Sequence, residues 1–541
     1  MRGLPISPLR VAKGPAATDP SFPAVDLRAA GLDGAAELQF WAAARRHCHR
    51  SDPQPCRLLQ LTHALFFPFP AQGHVTPALH LAKLLHVRGG VRVTFVHSDR
   101  NRRRLLRSRD PAALAGAPPG FVFTSFPADG LQGEVVVDDD ATRRDSPQHM
   151  DALLSSIQTS AATHLRKLLD DAAAAGAPAT CVVSDVESVL RAAAEAGVPA
   201  VAFWTASACE LLASLLCQPL IDKGFLSNGY LDAVIDWAPG MPADMRLRDF
   251  ISFIRTTDPD DAVLRRVLGL MDAIRTAASA VVLNTFDELE REVVAAMSAL
   301  LPPPIYTVGP LPLLAEHAVA GGGPLDVAAA GANLTKEDDG CLTWLGTKRP
   351  RSVVYANFGS IAVLTTQQVE EFAWGLANSG YEFLLVIRDD DGDQANGGAA
   401  PPELVEEMKG RGYVTSWCQQ AAVLRHEAVG AFLTHCGWNS TMENICCGVP
   451  MVCWPFGADQ QTNCRFACTE WRVGVEIGGD VTREEVERMV RDVMRGEKGV
   501  ELRRRAAEWK ERAAAAASQP DGSSWVNLER LVKEVFLPCN N

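Results

Sequence analysis

What most limits the fold of this chain is one repeated pattern: a short apolar run, a small or Pro/Gly-containing turn, then a helix with one apolar face. The first instance places a strand over Leu65–Phe69, a turn, a helix from about Thr76 to Arg88, and a second strand over Val91–Val96. That order is a βαβ unit. Thr76 is placed to cap the helix, Pro77 suits its first position, and Gly89-Gly90 ends it. The rhythm returns at Cys181–Asp185 and Ala200–Trp204, then restarts at Val353–Asn357, Phe383–Ile387, Gly430–Thr434 and Pro450–Trp454. Such alternation predicts an α/β chain of two doubly wound domains facing a shared cleft.

A chain of 541 residues exceeds what one hydrophobic core usually organises, which agrees with two domains. Composition shifts divide it into a loose extension over 1–58, a first α/β domain over 59–310, and a Gly/Ala-rich linker over 311–339. A second α/β domain follows over 340–520, then a C-terminal helix and tail over 521–541 that packs back on the first domain. The net charge of -13 argues against nucleic acid and anionic membrane surfaces as partners. No apolar stretch approaches a membrane span, the N-terminus lacks the apolar run of a secretory signal, and the 14 cysteines include no CxxC pair. A reduced, cytoplasmic setting is expected.

The most informative segment runs from Trp417 to Gln460. A strand over Val429–Thr434 delivers His435, Gly437, Trp438, Asn439 and Ser440 to a loop, and Thr441–Cys447 reads as the helix that follows, stopped by Gly448-Val-Pro450. A small polar loop between a strand end and a helix start offers backbone N–H groups to a diphosphate. Ser440-x-x-Glu443 also reads as a capping box that needs no ligand. Trp417 could stack on a flat base or simply pack, and Asp459-Gln460 could meet vicinal sugar hydroxyls or only water.

This segment, with 44 positions, resembles the signature box of plant secondary-product UDP-glycosyltransferases. It has the opening Trp, the His-Cys-Gly-Trp-Asn-Ser core, the Glu three residues later, Gly-Val-Pro, Trp-Pro and the closing Asp-Gln. The likeness extends over roughly Thr62 to Phe536 through Pro68-Phe-Pro-Ala-Gln-Gly-His74, Phe203-Trp-Thr-Ala-Ser207, Leu283-Asn-Thr-Phe-Asp-Glu-Leu289 and Asn357-Phe-Gly-Ser360. The resemblance implies the GT-B fold, two facing Rossmann-like domains, with acceptors held by 59–310 and the UDP-sugar by 340–520. It implies that Trp417 stacks on uracil, the Cys418 backbone pairs with its edge, and Gln420 and Glu443 hold the ribose. His435, Gly437, Asn439, Ser440 and Ser360 would surround the diphosphate. Trp438, Asp459 and Gln460 would read the sugar, assisted by Thr205, and Gln460 at the box's end points to glucose.

The same resemblance makes His74 the general base and Asp185 its orienting carboxylate. A neutral imidazole is available near pH 7, and its second nitrogen needs a carboxylate to fix the tautomer. Read alone, His74 is a loop histidine and Asp185 a helix N-cap. The implied activity is inverting transfer of glucose from UDP-glucose to a hydroxyl of a small lipophilic acceptor, by a monomer needing no cofactor or metal. The acceptor itself has no compact motif.

Residues 1–58 have no counterpart in the family. The stretch from Asp185 to Pro199 is about two residues short of it and carries Arg191 where acidic or small residues are usual. Leu385 stands in place of a Trp and Gly457 in place of an aromatic. A UDP-sugar-binding protein that has lost turnover is the alternative these departures raise. A NAD(P)-dependent dehydrogenase is disfavoured because no GxGxxG follows the first strand.

Overall fold

The computed structural model describes residues 62–108, 119–127, 147–226, 230–256, 258, 260–319, 337–360, 362, 364–387 and 410–537. All fall within one compact unit, Gln60–Asn541, so the 1–58 extension and most of the 311–339 linker lie outside the described residues. Seven parallel strands form the first sheet: β1 (His63–Phe67), β2 (Arg92–Ser98), β3 (Phe121–Phe126), β4 (Cys181–Ser184), β5 (Ala200–Trp204), β6 (Ala278–Leu283) and β7 (Ile305–Thr307). They lie in the order β3-β2-β1-β4-β5-β6-β7. The second sheet has β8 (Val353–Asn357), β9 (Glu382–Val386), β10 (Gly412–Thr415), β11 (Val429–Thr434), β12 (Met451–Cys453) and β13 (Gly474–Glu476) in the order β10-β9-β8-β11-β12-β13. Both sheets thus step outward from a first strand, then reverse to its other side. The reversals fall between β1 and β4 and between β8 and β11, and a crevice opens at the strand ends there.

Strands such as β1, β8 and β11 are buried along their whole length. Sheets covered on both faces select unbroken apolar runs rather than alternation, which is why these strands stand out in the sequence. The helices that bear on the crevice are α1 (Gln72–Gly89), α2 (Glu187–Glu195), α3 (Ala208–Leu215), α4 (Ala262–Thr276), α5 (Asp287–Leu300), α6 (Trp438–Cys447), α7 (Gln460–Thr469) and α8 (Ser523–Leu531).

Two helix starts differ from expectation. α1 begins at Gln72, so Pro77 lies inside it and Thr76 is no cap; the Thr76 hydroxyl instead accepts from Gln72 Nε2 at 2.7 Å. Proline has no N–H to return to the carbonyl four residues back. That carbonyl, Gly73 O, accepts from Asn439 Nδ2 of α6 at 2.7 Å, so the proline releases an acceptor for the opposite half. α6 begins at Trp438 with Gly437 as N-cap. Ser440 therefore sits inside the helix, and the capping-box reading of Ser440 and Glu443 does not hold.

Residues 311–319, read as the start of a linker, form a helix, because Leu311 and Leu314 give it an apolar face that is fully buried against the first sheet. α8 also packs there: Trp525, Leu528 and Leu531 join the core around β1, and the Thr62 hydroxyl donates to Phe536 O at 2.7 Å. Removing a buried Trp side chain costs about 3–5 kcal/mol. Trp525→Ala should lower the urea midpoint by a corresponding amount, and an unchanged midpoint would mean that α8 contributes nothing to the first core.

Candidate active site

Because β1 and β4 are neighbours in register, the turns that leave them lie side by side. His74 falls in the first turn of α1, and Asp185 follows β4. Asp185 Oδ2 sits 2.6 Å from His74 Nδ1, while its Oδ1 accepts from Phe69 N at 2.7 Å. The N-cap of α2 is Val186, so Asp185 is not a helix cap. With the Nδ1 proton held by a nearly buried carboxylate, Nε2 is left as the lone-pair nitrogen of a side chain about a third exposed. Thr205, at the end of β5, places its hydroxyl 3.0 Å from the same Nδ1.

Across the crevice, β11 ends in His435-Cys436-Gly437 and α6 begins. Gly359 and Gly437 flank the His435 ring so tightly that a Cβ at either would collide with it. Cys436 takes a positive φ of 65° at this bend. No acidic residue stands in the first turn of α6, so its dipole and the N–H groups that follow Trp438 N favour an anion. The indole N–H of Trp438 donates to Asn284 O at 3.0 Å, while its backbone N–H donates to Asp459 Oδ2 at 3.3 Å.

Gln420 links the far side of this region. Its amide oxygen accepts from Asn357 Nδ2 at 2.9 Å, and its Nε2 donates to Ser440 Oγ and Glu443 Oε2, both at 3.0 Å. Burial pushes the Glu443 carboxyl above its usual range. At the head of α7, burial pushes Asp459 up to about 6, opposed by the hydrogen bond from Asn463 Nδ2 at 2.7 Å. The Gln460 amide oxygen accepts from Phe456 N and Gly457 N at 2.8 and 3.1 Å.

A single cavity of about 1450 Å³ joins these groups. Its lining includes His74, Asp185 and Thr205 from the first half. From the second it includes Ser360, Trp417, Cys418, Gln420, His435, Gly437, Trp438, Asn439, Ser440, Glu443, Asp459 and Gln460. The first half also contributes an apolar lining of Ile157, Val186, Phe253, Val267, Leu270 and Met271, the chamber on the first-half side.

Sequence reasoning missed Asn463 and Glu210. Asn463 is fully buried and donates to Cys436 O at 3.0 Å and to Asp459, while its Oδ1 accepts from Ser207 Oγ at 2.6 Å. Only its position four residues after Asp459, on the same helix face, hinted at this. The Sγ atoms of Cys436, Cys453 and Cys464 lie within 4.8 Å of one another among the described residues, but these buried thiols are outside the cavity lining.

Leu385 is buried in the second core, and Arg191 is held by Glu187 at 3.1 Å and Asp272 at 2.8 Å.

Two parallel sheets with a His–Asp pair in one half and an anion-ready loop in the other have the layout of a GT-B transferase. The match to known proteins takes this further. The family model described as "UDP-glucoronosyl and UDP-glucosyl transferase" matches residues 136–502. The chain is similar to 7-deoxyloganetin glucosyltransferase of Gardenia jasminoides, 48% identical over 87% of this chain and 97% of that one. It is also similar to (R)-mandelonitrile beta-glucosyltransferase of Prunus dulcis, 47% identical over 88% and 97%. Among solved structures, an anthocyanidin 3-O-glucosyltransferase in complex with UDP superimposes with TM-score 0.71 at 27% identity, covering 87% of this chain and 98% of that one. A Polygonum tinctorium UDP-glucosyltransferase in complex with 3,4-dichloroaniline gives 0.69 at 27%, covering 88% and 99%. The chain belongs to the UDP-glucosyltransferase family and is a glycosyltransferase enzyme that uses a UDP-sugar donor.

Each buried polar group stripped of its partner costs about 1–3 kcal/mol. Asn463→Ala should therefore lower stability by at least that amount through the orphaned Cys436 carbonyl and Asp459 carboxylate, read as a fall in the urea midpoint. An unchanged midpoint would remove Asn463 from the site's support.

Proposed function

We propose that the enzyme transfers glucose from UDP-glucose to a hydroxyl of a small lipophilic acceptor with inversion, using His74 as base. The observation that carries this reading is the 2.6 Å pairing of His74 with Asp185 in the cavity that also holds the anion-ready start of α6. Uracil stacks on Trp417 with its edge on the Cys418 backbone, and the ribose hydroxyls bond to Gln420 and Glu443. The diphosphate lies on the N–H groups opening α6, with His435, Gly437, Asn439, Ser440 and Ser360 around it. These donors also meet the charge that grows on the leaving UDP, so the reading carries no metal requirement.

Glucose lies against the Trp438 backbone, Asp459, Gln460 and Thr205. His74 Nε2 takes the acceptor's proton, the oxygen attacks the anomeric carbon, and UDP leaves from the opposite face, giving a β-glucoside. Asp185 stabilises the imidazolium as it forms. The apolar chamber suits an acceptor of the size and character that the relatives' names specify. The family resemblance also supports a cytoplasmic monomer.

His74→Ala should cut turnover by about 100- to 10,000-fold, the usual loss on removing a general base, with UDP affinity unchanged by calorimetry. A phenol acidic enough to ionise near neutral pH should recover part of that loss. Near-normal turnover of an aliphatic alcohol by His74→Ala would overturn the mechanism.

Asp459 accepts hydrogen bonds from sugar hydroxyls more strongly, and through both oxygens, when ionised. With its carboxyl at about 6, the charged form dominates above that pH and is lost below it. KM for UDP-glucose should rise as pH falls through 6, while Asp459→Asn removes this dependence. A pH profile identical in that variant would exclude Asp459 as the titrating group.

A further inference from the structure

One carboxyl in the acceptor chamber has no part in the mechanism above. Glu210 lies in the first turn of α3, where Ser207 Oγ accepts from its backbone N–H at 3.1 Å. Its side chain is 5% exposed, and it lines the cavity together with Trp204 and Ser214. The Trp204 indole N–H donates to Glu210 Oε2 at 2.8 Å, and the Ser214 hydroxyl donates to Oε1 at 2.8 Å. These three side chains form a polar spot in the same lining that carries the apolar Phe253, Val267, Leu270 and Met271. A buried carboxyl without a cation on it is an unusual choice for such a wall, where an apolar residue would pack at no cost.

Glu290 on α5 takes the other role open to an acid here. It accepts from the backbone N–H groups of Ala208 and Cys209 at 3.1 and 2.8 Å, and so, with the Ser207 cap, holds the start of α3. Glu210 is therefore not needed for that purpose. The titratable groups that interact with Glu210 are the Asp459 carboxyl at the head of α7, the Cys209 thiol on α3 itself and the Cys217 thiol just beyond it. His74, Glu187 and Arg266 line the same cavity.

We propose that Glu210 is a specificity-determining hydrogen-bond donor that recognises a neutral oxygen or nitrogen acceptor group on the molecule being glucosylated. This rests on the reading of the chamber as the acceptor site. The preferred substrate is then an apolar alcohol carrying a carbonyl, ester, ether or nitrile group away from the hydroxyl that reaches His74. Burial, with Asp459 nearby, pushes Glu210 up to about 8, so the carboxyl keeps its proton at neutral pH. Above that pH it ionises, loses its O–H, and sets a negative charge against the same group.

The experiment compares benzyl alcohol with methyl 4-(hydroxymethyl)benzoate, which differ by one ester group. Affinity of each for the UDP-loaded full chain is measured by calorimetry at pH 7 and about pH 9.5, in the wild type, Glu210→Gln and Glu210→Ala. The wild type should prefer the ester by roughly tenfold at pH 7, the value of one hydrogen bond, and lose that preference at the higher pH. Glu210→Gln, whose amide still donates, should keep the preference at both pH values, and Glu210→Ala should lack it at both. A role confined to holding Trp204 would shift both compounds alike.

The proposal is overturned if Glu210→Ala retains the ester preference, or if Glu210→Gln loses it at high pH as the wild type does. Turnover with UDP-glucose is followed separately. Wild type that binds both compounds with the expected pattern but forms no glucoside would refute the transferase reading while leaving the assignment of Glu210 standing.

Discussion

The site exists only because two separately wound sheets are fixed in one relative position, and a seam of buried hydrogen bonds between them does this. Asn439 Nδ2 reaches Gly73 O, Trp438 Nε1 reaches Asn284 O, the Ser207 hydroxyl reaches Asn463 Oδ1, and the Thr462 hydroxyl reaches Asp249 O at 2.9 Å. Apolar contact runs along the same seam, where Trp438, Met442 and Trp471 share a continuous core with Leu212 and Phe286. Apolar packing alone would tolerate sliding, since it is non-directional. The hydrogen bonds do not, because any shift strands buried donors and acceptors at a cost comparable to their desolvation. Each falls within a few residues of a group in the cavity, so the constraint that joins the halves also sets base against donor.

Burial governs the carboxyl groups around the cavity, and their partners separate their functions. Glu290, Glu443, Glu210 and Asp459 are all pushed upward chiefly by desolvation. Glu290 meets two backbone N–H groups and serves the start of α3, whereas Glu443 meets one amide of Gln420 and is left with capacity for another donor. Asp459, with Asn463 and the Trp438 N–H, is held near 6 and ionised at neutral pH. Glu210, with one indole and one hydroxyl, stays protonated there. Acceptor and donor character at the two ends of the sugar-transfer region thus follow from which N–H and O–H groups each carboxyl meets.

The strands were legible because sheets covered on both faces demand apolar runs, and the turns after β1, β4, β8 and β11 follow from the reversal of strand order. Helix starts were less legible. Pro77 has the backbone angles of a first helical residue, but what decides its place is Gly73 O finding Asn439 some 366 positions along the chain, which no local pattern contains. Ser440 and Glu443 have the spacing of a capping box, yet Gly437 starts the helix a turn earlier and both side chains turn to Gln420. The box from Trp417 to Gln460 carried most of the second half's share of the cavity lining because that half of the site is nearly contiguous in sequence. Glu210 and Asn463 went unseen since each acquires meaning only from the opposite sheet or the chamber wall.

The stretch after Asp185 shows how a departure from family pattern can act on the acceptor side without touching the base. Asp185 is fixed by Phe69 N and His74, both upstream of α2. What changes is the outer face of the helix, where Arg191 reaches α4 through Asp272 Oδ2 at 2.8 Å and Gly269 O at 3.2 Å. Glu187, one turn earlier, lies so close to Gly269 that a Cβ there would meet its carboxylate. α4 is thereby drawn against α2 at its middle, and the next residues along it, Leu270 and Met271, form the chamber wall. A substitution that lengthened α2 or removed the Arg191 side chain would first alter where α4 stands, and with it the shape offered to the acceptor.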